Sequence, residues 1–249
     1  VVFLVIQLLG GGSGANLAIG GTETGDNTAL SESCTTGDDA NQRQDCRIVG
    51  VINSVQEYWG AAVPGYQGAK TVFFSGSTNT ACGAASSATG PFYCPVDRQV
   101  YIDLSFYDEL RSRFGASGGP FAEAYVIAHE YGHHIENLTG VLESANRDRS
   151  TGPQSAGVRV ELMADCYAGR WAQGAENTGF IEDLSEDDIR DGLDAAAAVG
   201  DDRIQQATQG RVSPEAFTHG SAEQRQKWFL IGYRAETMDR CDTFAVSKV

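Results

Sequence analysis

Three of the chain's four histidines fall within six consecutive positions, His129 to His134, inside the segment Ala124-Tyr-Val-Ile-Ala-His-Glu-Tyr-Gly-His-His-Ile-Glu. Val126, Ile127 and Ala128 imply a buried helix, and imidazoles on a buried helix need polar partners. On a helix, positions i and i+4 share a face, so His129 and His133 can reach one metal ion. Glu130 is turned about 100° from His129, which brings a carboxylate beside the position such an ion leaves open. There it can take a proton from a water activated by the metal. His134 lies about 100° off the shared face and reads as a supporting or surface residue. The competing reading is a solvated helix that carries histidines by accident, and the clustering argues against it.

Two histidines do not complete a catalytic zinc site, which takes three protein ligands and an open position. A metzincin would continue with Gly and His at three and six residues beyond His133; those positions hold Glu136 and Thr139, which excludes that class. The third ligand must come from elsewhere, and Glu161 is the best candidate. It lies in Val160-Glu-Leu-Met-Ala-Asp165-Cys166, where Asp165 follows four residues later on the same helical face. Glu161 would bind zinc (Zn2+), while Asp165 would accept the free ring N–H of a ligating His and fix its tautomer. Val158, Val160, Leu162 and Ala164 mark the segment as at least half buried, where a carboxylate without a cation is costly. The alternative is an exposed pair bridged to Arg159 and Arg170.

The pattern along the chain is α+β, mostly helical in its C-terminal half, with a small β-sheet before residue 105. Ile48, Val51, Ile52, Val55 and Trp59 recur at helical spacing over 47–59. Thr71 to Phe74 and Gln99 to Leu104 read as strands, 76–91 as loop, and 104–114 as helix. Pro120 opens a helix that Gly140 ends, and a second strong helix covers about 156–173. Ser185, followed by Glu186, Asp187 and Asp188, starts another, as does Ser213-Pro214-Glu215. Ser221-Ala-Glu-Gln224 is a capping box opening a last helix to about Glu236.

The six cysteines contain no Cys-x-x-Cys. Cys34 and Cys46, and Cys82 and Cys94, are each 12 positions apart in loop-like sequence, which favours short-range disulfides and leaves Cys166 with Cys241. Such pairing implies an oxidising, extracytoplasmic compartment; six unpaired buried thiols would be the cytosolic alternative. A formal net charge of −15 disfavours nucleic acid and anionic membrane surfaces as partners. The first nine residues are nearly all apolar and run into a Gly-rich stretch, Gly10 to Gly14. They read as the end of a signal or anchor helix and a linker over residues 1–30, ahead of one catalytic domain over 31–249, with a short buried strand as the alternative.

Five stretches together resemble the bacterial neutral zinc metallopeptidase family. They are Ala81-Cys-Gly through Gly90-Pro-Phe-Tyr-Cys-Pro-Val-Asp, Val100 to Leu110, Ala124 to His134, Glu161 to Gly169, and Thr218-His-Gly-Ser-Ala-Glu-Gln-Arg. The likeness runs from about Cys34 to Cys241. It implies a gluzincin-like zincin fold in which two helices supply His129, His133 and Glu161, and an N-terminal hydrophobic anchor to the cell membrane. His219 and Arg225 are similar to a His-x5-Arg element of integral-membrane zinc peptidases. That likeness implies that His219 stabilises an oxyanion and Arg225 orients substrate or a carboxylate.

The expected activity is hydrolysis of peptide bonds in a peptide or protein substrate, with Glu130 as general base. The strand around Val100 to Leu104 is the expected edge along which an extended peptide lies. Two further readings stay open: a non-catalytic zincin-like assembly module of a membrane complex, and a zinc amidase acting on cell-wall material.

Overall fold

The computed structural model describes residues 2–3, 30, 32–112, 115–116 and 118–249. The expected anchor and linker over 1–30 lie outside the described residues except for Val2, Phe3 and Leu30. Among the described residues no helix is long and apolar enough to cross a membrane.

Helices dominate. In chain order the elements are β1 (Val2–Phe3), α1 (Gly37–Gln42), α2 (Gln44–Ala62), β2 (Lys70–Phe74), β3 (Ser77–Thr80), β4 (Gly83–Ser86), β5 (Phe92–Cys94), β6 (Gln99–Asp103), α3 (Phe106–Ser112), α4 (Pro120–Leu138), α5 (Val141–Ala145), α6 (Ala156–Gly174), β7 (Ile181–Asp183), α7 (Glu186–Ala198), α8 (Asp201–Gln209) and α9 (Ala222–Arg234). This is an α+β, zincin-like domain. Its main sheet has the order β2-β6-β5, with β2 parallel and β5 antiparallel to β6.

The helix starts follow local chemistry. Pro120 stands in the first turn of α4, where its missing N–H costs nothing. Ser155 caps α6, and Ser185 and Ser221 form capping boxes with Asp188 and Gln224. The core lies where α2, α4, α6 and α9 meet. Trp59, Phe121, Ile127, Trp171 and Phe229 are wholly buried there. α6 and α9 pack backbone to backbone: a Cβ on Gly232 would stand 1.9 Å from the Cys166 carbonyl oxygen, and one on Gly169 2.1 Å from that of Phe229. No other residue fits at either contact.

Several expectations change. Residues 76–91 are not plain loop: Ser77–Thr80 and Gly83–Ser86 form an antiparallel hairpin. Its residues are small and polar, so no apolar alternation announces it; Asp103 and a disulfide hold it instead. Ser213-Pro214 starts only a single 3-10 turn, Pro214–Ala216, while α8 begins behind Gly200, a residue with no side-chain capping signal. Residues before Cys46 carry the helix α1, capped by Thr36 and Asp39. The strands are not confined to residues before 105, because β7 pairs with Val2–Phe3. β6 is the central strand of its sheet, so Val100 to Leu104 cannot be a free edge; the edge on the helix α4 side is β5.

The disulfides are Cys34–Cys46, Cys82–Cys94 and Cys166–Cys241, the pairs expected from spacing. The last ties α6 to the turn Met238–Cys241. Three such bonds fit an oxidising environment outside the cytoplasm.

Candidate metal centre

The site forms where α4 and α6 approach most closely, and one residue sets that approach. A Cβ on Gly132 would stand 2.8 Å from Ala164 Cα and 2.9 Å from the Ala164 carbonyl oxygen. With only hydrogen at Gly132, the helix carrying His129 and His133 reaches the one carrying Glu161 and Asp165. The glycine inside His129-Glu-Tyr-Gly-His133 is therefore a packing requirement.

The two Nε2 atoms turn toward one carboxylate. His129 Nε2 lies 3.2 Å from Glu161 Oε2, and His133 Nε2 lies 3.6 Å from Glu161 Oε1. The imidazole rings are 4.7 Å apart between centroids, and one donor atom from each of the three residues falls within 4.8 Å of the others. Both Nδ1 atoms are spoken for: His129 Nδ1 meets Asp165 Oδ1 at 2.9 Å, and His133 Nδ1 meets Glu136 Oε2 at 2.7 Å. Ionised carboxylates only accept hydrogen bonds, so each ring carries a proton on Nδ1 and turns Nε2 toward Glu161. The two Nε2 atoms and the Glu161 carboxylate form a group that could hold a metal ion, and this nitrogen–nitrogen–oxygen set suits zinc.

The electrostatics carry the same message. Burial alone pushes the His133 imidazole down, but the carboxylates of Glu161 and Glu136 outweigh it and hold it up to about 10. Burial likewise opposes charge on Glu161, yet His133, His219 and His129 draw it well below the usual carboxylate range. Burial raises Glu136 to about 7 against the pull of His133. A concentrated negative charge behind two imidazoles is the setting a divalent cation stabilises.

Asp165 is wholly buried, and Arg225 accounts for that. Arg225 Nε donates to Asp165 Oδ2 at 2.8 Å and Nη2 to Oδ1 at 3.0 Å, while Tyr125 Oη donates to Oδ1 as well. Burial raises the Asp165 carboxyl, but Arg225 and His129 bring it down to about 2. Of the two roles expected for Arg225, orienting substrate or a carboxylate, the structure gives it the carboxylate. Its guanidinium is 4% exposed and fully engaged with Asp165, Tyr125 and the Val199 carbonyl.

A cleft of about 470 Å³ opens over the three residues. Glu130 lines it, 8% exposed. Burial raises its carboxyl above the ordinary value; His129, His133 and the Tyr93 backbone N–H pull the other way. His219 lines it from the loop before α9. Its Nδ1 meets Thr218 Oγ1 at 2.8 Å, which leaves Nε2 available. The carboxylates of Glu161 and Asp201 raise its affinity for a proton, against burial and the charge of Arg225.

Three site residues escaped the sequence reading. Glu136 supports His133 from three positions on along α4, a spacing visible in the sequence but read only as a mismatch. Tyr125 sits four residues before His129 on the same face. Asp201 Oδ2 accepts the N–H groups of Thr218, His219 and Gly220 at 2.7, 2.7 and 3.0 Å, fixing the loop that carries His219. Nothing in the sequence pairs Asp201 with a loop 17 residues away. His134 is buried: Nε2 donates to the Gln67 carbonyl at 2.6 Å and Nδ1 faces Tyr93 Oη at 3.0 Å, so it braces β5 against α4.

The fold is that of a zincin-like α+β domain, with a His-His-carboxylate group that could hold a metal across two helices. The chain belongs to the family described as "Putative neutral zinc metallopeptidase", whose pattern matches residues 1–244. It is similar to the uncharacterized protein Rv2575 of Mycobacterium tuberculosis, 54% identical over 221 residues, covering 86% of this chain and 75% of that protein. It is also similar to the uncharacterized protein YpfJ of Escherichia coli K12, 39% identical over 256 residues, covering 99% of this chain and 87% of that protein. No solved structure matches it.

Proposed function

We propose that the chain is a zinc peptidase in which His129, His133 and Glu161 hold the metal and Glu130 is the general base. The observation that carries this reading is the convergence of both Nε2 atoms on Glu161 while a buried carboxylate holds each Nδ1. Zinc held there supplies a Lewis acid that acidifies water and polarises a peptide carbonyl. Glu130 takes the proton from the attacking water and, as the C–N bond breaks, delivers it to the leaving amine nitrogen. Its raised proton affinity suits both halves of that exchange. His219 donates from Nε2 to the oxyanion that develops on the carbonyl oxygen. Asp165 and Glu136 orient the two imidazoles, and Arg225 with Tyr125 makes a charged Asp165 tolerable in the core.

The free edge of β5 borders the cleft at Phe92 and Tyr93, so an extended peptide adds to the sheet there. We further assign the protein to the outer side of the cell membrane, tethered by the apolar N-terminal segment; the disulfides support the compartment. The test is hydrolysis of denatured casein by zinc-loaded protein beside its Glu130→Gln variant. Cleavage by the first and none by the second, at equal zinc content, is expected. Equal cleavage by both removes Glu130 as base, and cleavage of peptidoglycan amides alone moves the activity to cell-wall material.

A further inference from the structure

α6 presents different chemistry on its two sides. Glu161 and Asp165 face the metal centre; Met163 and Tyr167, two positions beyond each, are turned about 200° away. They line a second cavity of about 1080 Å³, larger than the cleft and sharing none of its lining residues. Val141, Met238 and Phe244 extend its apolar surface. Both methionines of the chain are thus in this one cavity. The thioether side chain is the most adaptable apolar surface a protein has for ligands of irregular shape.

Two observations point to an occupant. Tyr167 is 7% exposed as a residue, and its hydroxyl makes no hydrogen bond to the described residues and is not sealed from solvent, so it opens into the cavity. An unengaged phenol O–H on a largely apolar wall gives a ligand one fixed hydrogen-bonding point. The charges round the cavity are three carboxylates, Asp148, Asp239 and Asp242, against one guanidinium, Arg147. An apolar cavity with a surplus of negative charge selects an apolar ligand that carries a positive one.

We propose that this cavity is a second binding site, for a peptide segment that combines apolar side chains with a basic residue. The binding does not depend on the zinc-peptidase reading. If that reading holds, a substrate chain engaged both here and in the cleft is kept at raised effective concentration.

Fluorescence polarisation tests it, with a labelled nonapeptide of leucine, phenylalanine and one arginine, and a counterpart with glutamate for arginine. The receptor is zinc-loaded Glu130→Gln protein, which removes cleavage as a complication. The arginine peptide should bind about tenfold tighter than the glutamate peptide or better. Ser144→Trp, at an exposed position in the cavity wall, should weaken it by a similar factor, and Asp239→Asn should weaken it several-fold. In the Glu130 background, Ser144→Trp should leave zinc content and cleavage of a short reporter peptide unchanged. Equal affinity for the two peptides, or binding indifferent to Ser144→Trp, overturns the proposal. So does concentration-dependent dimerisation that Ser144→Trp abolishes without any peptide binding, which assigns the cavity to a second copy. Peptide binding blocked by Ser144→Trp in a protein that cleaves nothing supports this site and contradicts the peptidase reading alone.

Discussion

Each imidazole at the candidate centre turns Nε2 toward Glu161 and gives Nδ1 to a second carboxylate, and those two carboxylates differ in what holds them. Asp165 is neutralised by Arg225; among the described residues the Glu136 carboxylate is hydrogen-bonded by His133 alone. Asp165→Asn and Glu136→Gln should each reduce zinc affinity by about 10–100-fold, read by competition with a chromogenic chelator. Arg225→Ala should do more, because it leaves Asp165 charged and unpaired in the core; the expected loss of stability is about 3–5 kcal/mol by urea denaturation. A change in KM alone would return Arg225 to the substrate. His219→Ala should lower kcat by about 10²–10³ with zinc content unchanged, as expected for an oxyanion donor. The pairing of His129 with His133 and the Glu161–Asp165 spacing were legible in the sequence because each is a local i, i+4 helical repeat. Asp201 and the partner of Arg225 were not, since both depend on where a loop and a distant helix come to rest.

At the level of elements, the centre exists because α4 and α6 touch through glycine. Gly132→Ala should cost about 1–3 kcal/mol, since the new methyl meets backbone at Ala164 that has nowhere to go. Zinc affinity should fall with it, as the two helices separate; a variant with native melting and native zinc binding would show that the contact is not what sets the site. The sheet is braced in the same way by Asp103, which accepts hydrogen bonds from Ser87, Ser105 and the Gly76 N–H and so holds the hairpin β3–β4 near the cleft. Burial raises the Asp103 carboxyl, but these donors outweigh it and bring it below its ordinary value of 3.8. A depressed carboxyl contributes stability that is present above its unfolded value and lost as pH falls through its folded one. Asp103→Asn should therefore flatten the decline of stability below about pH 4, measured by urea melts across that range. Helix starts were readable from Pro120, Ser185 and Ser221, because capping is a short-range matter. The hairpin and α8 were not, because small polar residues and Gly200 give no period or cap to read.

Across the whole molecule, the Cys166–Cys241 disulfide and the candidate ligand Glu161 both fall on α6. The Cys166–Cys241 bond joins it to a turn 75 residues on, and replacing both cysteines by serine should remove on the order of 4 kcal/mol in the chain-entropy view. The α+β class and the disulfide pairs followed from composition and spacing, while the position of β6 inside its sheet required the three-dimensional order of strands. The central claim is that zinc is held by His129, His133 and Glu161, with His219 outside the ligand set. The most direct measurement is zinc stoichiometry by inductively coupled plasma mass spectrometry on folded wild-type, Glu161→Ala and His219→Ala proteins after dialysis against a weak chelator. The account predicts about one zinc per chain in the wild type and in His219→Ala, and loss of zinc in Glu161→Ala. Zinc retained in Glu161→Ala and lost in His219→Ala would contradict it.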